Sequence, residues 1–230
     1  MKIILGDRLK TKRRIYLFVW SACFFVFVVS STGLIPCAAQ AKDLTKGARA
    51  FISSVTEEAI TTLTGTDITK EERAQLFRAF MKKHFSINGI ARFVVGRHLR
   101  NASKVEKKQY YKLFEDLMVT TYSERFAKYS GERLLVKKAE RFGKNDVVVH
   151  TSMVKTGSKS KPLKVDWRVR KKGEDFKIID VMIEGISMIM TQRSEFSSFL
   201  QSNGGQFSKL LAELKKRVEE STKNNQSATN

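Results

Sequence analysis

The residues through which this chain could do acid–base chemistry are a histidine and two aspartates in alternating stretches. His150 falls within residues 146–156, Asp166 within 163–171 and Asp180 within 175–183. All three stretches have the two-residue period of a strand. A histidine and carboxylates on neighbouring strands of a curved sheet could move a proton if they faced a cavity. The alternation argues against that. His150 and Asp166 alternate with Val149, Val165 and Trp167, the residues assigned to the interior, so the pair is expected to face solvent. His84, His98 and His150 are too scattered to suggest a metal site. There is no glycine-rich dinucleotide or phosphate loop, no H-E-x-x-H and no G-x-S-x-G. No catalytic residue, metal or cofactor is assigned, and an enzyme is the least favoured class.

The stretch Asp175–Leu200 organises the rest. Phe176, Ile178, Asp180 and Met182 alternate with Lys177, Ile179, Val181 and Ile183. Glu184-Gly185 breaks the run, and Met188, Ile189, Gln192, Phe196 and Phe199 then recur at helical spacing. An apolar strand that turns into an apolar helix can make one wall and the lid of a cavity. It can equally pack on itself and close a core.

Upstream, Leu44, Ala48, Phe51, Val55, Ala59 and Leu63 mark a helix starting near Asp43. Thr69-x-x-Glu72 and Ser103-x-x-Glu106 are capping boxes that open two more. The second of these helices carries Tyr110, Leu113, Phe114, Leu117 and Met118 and is expected to end near Tyr129. Ile87–Val95 is a short helix stopped by Gly96. After Gly131 the period changes to two, giving strands over 132–141, 146–156, 163–171 and 175–183. Val165, Trp167 and Val169 point one way; Asp166, Arg168 and Arg170 point the other. Short links imply antiparallel pairing. The expectation is an α+β domain: N-terminal helices on a curved four-stranded antiparallel sheet, followed by C-terminal helices.

Lys10, Lys12, Arg13 and Arg14 precede an apolar run from Ile15 to Val29, and Ala39-Gln40-Ala41 follows. This is the pattern of a secretory signal peptide over residues 1–41, with an uncleaved membrane anchor as the rival. Residues 42–220 then form the folded domain, and 221–230 are expected to be a disordered tail. Cys23 and Cys37 both precede the cut, so the remainder has no thiol and no disulfide. The net charge is +20; residues 1–41 hold six Lys or Arg and one Asp, which leaves +15 for the rest. Such a surface attracts anionic partners. Export makes nucleic acid the wrong partner and points to anionic lipid headgroups or an acidic protein.

Three stretches resemble a known family. They are Asp180-Val181-Met182-Ile183-Glu184-Gly185-Ile186-Ser187-Met188 with Arg193-Ser194-x-Phe196, the helix from Phe114 through Tyr122 to Tyr129, and Val165-Asp166-Trp167-Arg168-Val169. Together they are similar to the MlaC phospholipid carriers, the toluene-tolerance family, over 42–218. Phe176 stands where that family usually has Trp, and Thr191-Gln192 where it has Asn-Tyr. A hopanoid-associated branch is therefore an alternative. The resemblance implies a cone-like, NTF2-like α+β fold that holds acyl chains between sheet and helices. It also implies a periplasmic carrier passing phospholipid between an outer-membrane lipoprotein–porin complex and an inner-membrane ABC transporter, which maintains outer-membrane lipid asymmetry. A periplasmic adaptor without internal cargo is the other alternative.

The physics of such a carrier is simple. Exposing one acyl methylene to water costs about 0.8 kcal/mol, so a two-chain lipid faces a barrier on the order of 20 kcal/mol. Apolar walls lower that barrier without a covalent step. From the sheet, the expected walls are Val147, Val149, Val165, Trp167, Val169, Val181 and Ile183. From the helices, they are Leu117, Met118, Ile186, Met188 and Ile189. Arg193 is the candidate for the headgroup phosphate, with an ion pair to Glu184 as its structural alternative.

Overall fold

The computed structural model describes residues 37–155, 157 and 161–227. The proposed leader, up to residue 36, lies outside the described residues. Among them, no helix is long and apolar enough to cross a membrane. Helix α1 spans Cys37–Leu63, so it begins before Asp43 and the proposed cleavage point after Ala41 falls inside it. Helices α2 (Lys70–His84), α3 (Ile87–Val95), α4 (Lys104–Tyr122) and the single turn α5 (Glu124–Ala127) follow. Ser103 and Glu106 complete a reciprocal box at the start of α4, while Thr69 accepts from the Glu72 amide at the start of α2. The expected run to Tyr129 is broken at Ser123, between α4 and α5.

The strands are β1 (Glu132–Arg141), β2 (Asp146–Lys155), β3 (Leu163–Lys172), β4 (Asp175–Ile183) and β5 (Ile186–Ser187), an open antiparallel meander in chain order. This corrects the expected four-stranded, NTF2-like sheet. Glu184 (φ 50°) and Gly185 (φ 82°) both take positive φ. Two consecutive left-handed residues reverse a strand tightly, so the chain folds back as β5 before helix α6 (Met188–Ser202). The Glu184 amide donates to the Lys164 carbonyl at 3.0 Å, and its carboxylate accepts from the Lys164 amide at 2.6 Å. Gly185→Val is expected to cost about 1–3 kcal/mol in a denaturation experiment, because a β-branched residue is strained at that φ.

A second departure lies within β4. Arg168 pairs with Asp180 but Val169 pairs with Ile178, leaving Ile179 as a bulge. Strict alternation is therefore lost, and Phe176 and Ile178 share the inner face with Val181 and Ile183. Inner and outer faces otherwise separate as the sequence pattern expects. Val147 pairs with Val169, Val149 with Trp167, and Thr151 with Val165. Helix α1 lies over β1 and β2, burying Ala48, Ile52 and Val55.

Helix α7 (Phe207–Ser227) packs along α4. It corrects the expected tail, because helix continues through Ser221–Ser227; residues 228–230 lie outside the described residues. Between these helices the core is aromatic. Phe114 meets Phe196 edge-on at 6.4 Å, and Tyr110 meets Phe207 at 5.6 Å while donating to the Ala91 carbonyl.

On the outer face, Asp146 is buried under two arginines. Arg168 Nη2 lies 2.7 Å from Oδ2, and Arg170 Nε lies 2.6 Å from Oδ1. Burial opposes ionisation of Asp146, but the bonds from Arg170 and Arg168 outweigh it and hold its carboxyl below the usual Asp range. A depressed folded pKa adds stability that is complete above the unfolded value, near 3.9, and is lost as pH falls through the folded one. Asp146→Asn is therefore expected to flatten the acid limb of a stability–pH curve below about pH 4. An unchanged limb would remove Asp146 from the account.

Candidate lipid-binding crevice

The expected wall residues of β2, β3 and β4 all lie on the inner face, but they are not equally open. At one end Val147, Val149, Val169 and Ile178 have no exposure, and Val165 is also buried. The first four are packed in the same apolar cluster as α1 and the helical core, whereas Val165 pairs with Ile183 toward the opening end. Toward the other end of β4, Trp167, Val181 and Ile183 are half-buried, and Ile186 is 60% exposed. The sheet thus supplies closed core at one end and an apolar surface that opens toward the β4–β5 turn. Val147, Val149, Val165 and Val169 read as floor and core, and Ile186 as rim.

Trp167 sits in the middle of the opening stretch. Its indole Nε1 donates to Thr151 Oγ1 at 3.2 Å, and Thr151 Oγ1 donates to the Val165 carbonyl at 2.5 Å. The ring can stand in an apolar wall because its one polar atom is satisfied. The sequence reading did not include Thr151. A strand Trp needs an acceptor on its own face, and that was the signal.

A cleft lies among helices α4, α6 and α7, and none of its lining residues comes from the sheet. Leu117 is buried and Met118 half-buried. They begin this cleft of about 290 Å³, lined also by Thr121 and Tyr122 of α4, Gln192 of α6, and Arg217, Glu220, Ser221 and Asn224 of α7. Its floor is apolar and its edge polar. Met188 and Ile189, in the first turn of α6, are half-buried, and Ile189 packs on the core.

Arg193 is committed elsewhere. Its Nη1 donates to the Phe93 carbonyl at 2.9 Å, and its guanidinium lies 4.7 Å over the Phe93 ring. Gly96 leaves room for it; a Cβ there would come within 3.4 Å of Nη2. A cation on the last turn of α3 is favourable, so Arg193 ties α6 to α3. Neither a pair with Glu184 nor a place at the cleft is seen. The cation at the cleft edge is Arg217, held by Glu213 at 2.8 Å and Glu195 at 3.4 Å. It lies beyond the motif-bearing stretches, among the C-terminal helices, to which the sequence assigned no role.

Of the acid–base candidates, His150 and Asp166 pair and Asp180 stands apart. Asp180 accepts from Ser187 Oγ at 2.6 Å and from the Ile189 amide at 3.3 Å, capping α6. His150 Nδ1 lies 3.1 Å from Asp166 on the outer face, away from the crevice. Asp166 is more enclosed than expected, at 9% exposure.

The family model for the MlaC protein matches residues 53–216, most of the chain. The chain belongs to the MlaC family. Among solved structures, a phospholipid-binding protein from Ralstonia solanacearum, in complex with a phospholipid, is similar in fold. The two are 20% identical, and the TM-score is 0.68 over 76% of this chain and 98% of that one. In this MlaC-family chain the family signature Asp180–Met188 is the hairpin β4–β5 and the start of α6. Its aspartate caps the helix, and its Glu-Gly turn presents the rim.

Proposed function

We propose that this MlaC-family chain is a periplasmic phospholipid carrier. It would take acyl chains between the open part of the inner sheet face and helices α4, α6 and α7. It would move lipid between an outer-membrane lipoprotein–porin complex and an inner-membrane ABC transporter, maintaining lipid asymmetry. The observation that carries the reading is the half-buried apolar strip of Trp167, Val181 and Ile183 on the inner face of the sheet, which a protein without cargo would close. The phospholipid in the Ralstonia structure supports it. No covalent step is needed: the His150–Asp166 pair lies on the outer face of the sheet, and Asp180 is bonded to Ser187 and the Ile189 amide. The headgroup would stay at the cleft edge, where Arg217 can meet phosphate.

A cleft of about 290 Å³ is at the lower end of small-ligand sites. Loading a lipid therefore requires the helices α4, α6 and α7 around the cleft to move apart. Solvent extraction and mass spectrometry of the purified protein test the proposal. A stoichiometric phospholipid is expected. A hopanoid in its place would move the chain to the alternative branch, and no lipid at all would favour an adaptor without cargo.

A further inference from the structure

Seven large apolar side chains are more than a third exposed among the described residues, and three of them share one end of the fold. Leu163 (38%) starts β3, Ile186 (60%) lies in β5 and Met190 (50%) in the first turn of α6. They form a continuous strip. Lys164, next to Leu163, is bonded twice to Glu184 of the turn. Ile186 pairs with Ile183, which pairs with Val165. Ser187 caps the Met190 amide at 3.2 Å. Gln192, two residues after Met190 on α6, lines the cleft, so the strip adjoins the proposed mouth through the first turns of α6.

Cations outnumber acids around the strip. Lys161 and Lys164 are exposed beside it, and Arg133 and Lys155 stand at the neighbouring strand ends. The acids at this end are engaged within the fold. The Glu184 carboxylate accepts from the Lys164 amide, and Glu132 accepts from Ser130. Isolated apolar side chains flanked by exposed lysines fit a fluid anionic surface better than one rigid partner.

We propose that the strip Leu163–Ile186–Met190 with its lysines docks this protein directly on an anionic bilayer, mouth first. The apolar tips enter the headgroup boundary while Lys161 and Lys164 lie at the phosphate level. The purpose rests on the carrier reading, because a mouth against the bilayer spares the acyl chains passage through water. The docking is measurable without cargo.

The test is co-sedimentation of residues 42–230 with vesicles of phosphatidylcholine alone and with one-third phosphatidylglycerol. Binding to the anionic vesicles is expected, and about tenfold less to the neutral ones. Leu163→Asp with Met190→Asp should lower anionic binding by about tenfold or more. An Asp in the first turn of α6 suits the helix, so folding is preserved. Lys161→Glu with Lys164→Glu should remove the preference for phosphatidylglycerol. Equal binding to both vesicles, no binding, or variants that bind like the parent would each overturn the proposal. The no-binding result is the one expected if the rim serves a protein instead. Extracted lipid is measured on the same samples. Cargo without vesicle binding defeats docking alone, and vesicle binding without cargo defeats the carrier reading alone.

Discussion

Met118→Glu should empty the protein of lipid while leaving it folded. Met118 lies on α4, half-buried, at the cleft beside Leu117 and Tyr122. A flexible thioether suits a wall that must meet varied chains. Glutamate has similar length and good helix propensity, so α4 and its packing on α7 should persist. A carboxylate facing acyl chains without a partner costs several kcal/mol, so occupancy should fall about a hundredfold or more. The Arg217 that could answer it is already bonded to Glu213. Met118→Leu should retain lipid. Both variants are checked by extracted lipid per chain and by thermal unfolding. A Met118→Glu protein that still carries lipid at the parent level would place the cargo elsewhere.

Arg73→Met should be the most destabilising of the polar substitutions considered. Arg73 is 5% exposed, and its guanidinium pairs with no carboxylate among the described residues. Its guanidinium donates to three carbonyls, those of Leu63, Gly65 and Ile68, at 3.2 Å and 3.1 Å for the last two. These are the end of α1 and the link to α2, where carbonyls lack helical partners. Methionine keeps the apolar stem and leaves all three unsatisfied, at about 3–5 kcal/mol in urea unfolding with unchanged slope. Arg73→Lys should recover only part, because an ammonium does not reproduce the planar fork. A loss below about 1 kcal/mol for Arg73→Met would mean that water replaces the guanidinium.

What the sequence made legible was periodicity and caps. The α1 stripe through Ala48, Val55, Ala59 and Leu63 is buried as spaced, although Ile52 rather than Phe51 is fully covered. The Ser103 box and the inner face of Val165, Trp167 and Val169 are where the pattern put them. The misses have physical causes. A two-residue strand such as β5 carries no period, and only the paired positive φ of Glu184 and Gly185 creates it. The bulge at Ile179 hides in a run that is apolar on both registers. Arg193 and Arg217 are indistinguishable as types; their roles follow from which carbonyl or carboxylate the fold brings near. The wall residues divided by depth along the strand, which alternation does not encode. Lys215 and Lys216 each stand four residues before a glutamate, and such pairs support helix through α7 where composition suggested a tail.

The most direct measurement is fluorescence of Trp167 in residues 42–230, where it is the single tryptophan. Phospholipid with bromine at mid-chain should quench it strongly on loading, and headgroup-brominated lipid should not, because the ring stands in the apolar wall. Emission unchanged by mid-chain bromine at saturating lipid would show that the chains do not lie against the inner face of the sheet.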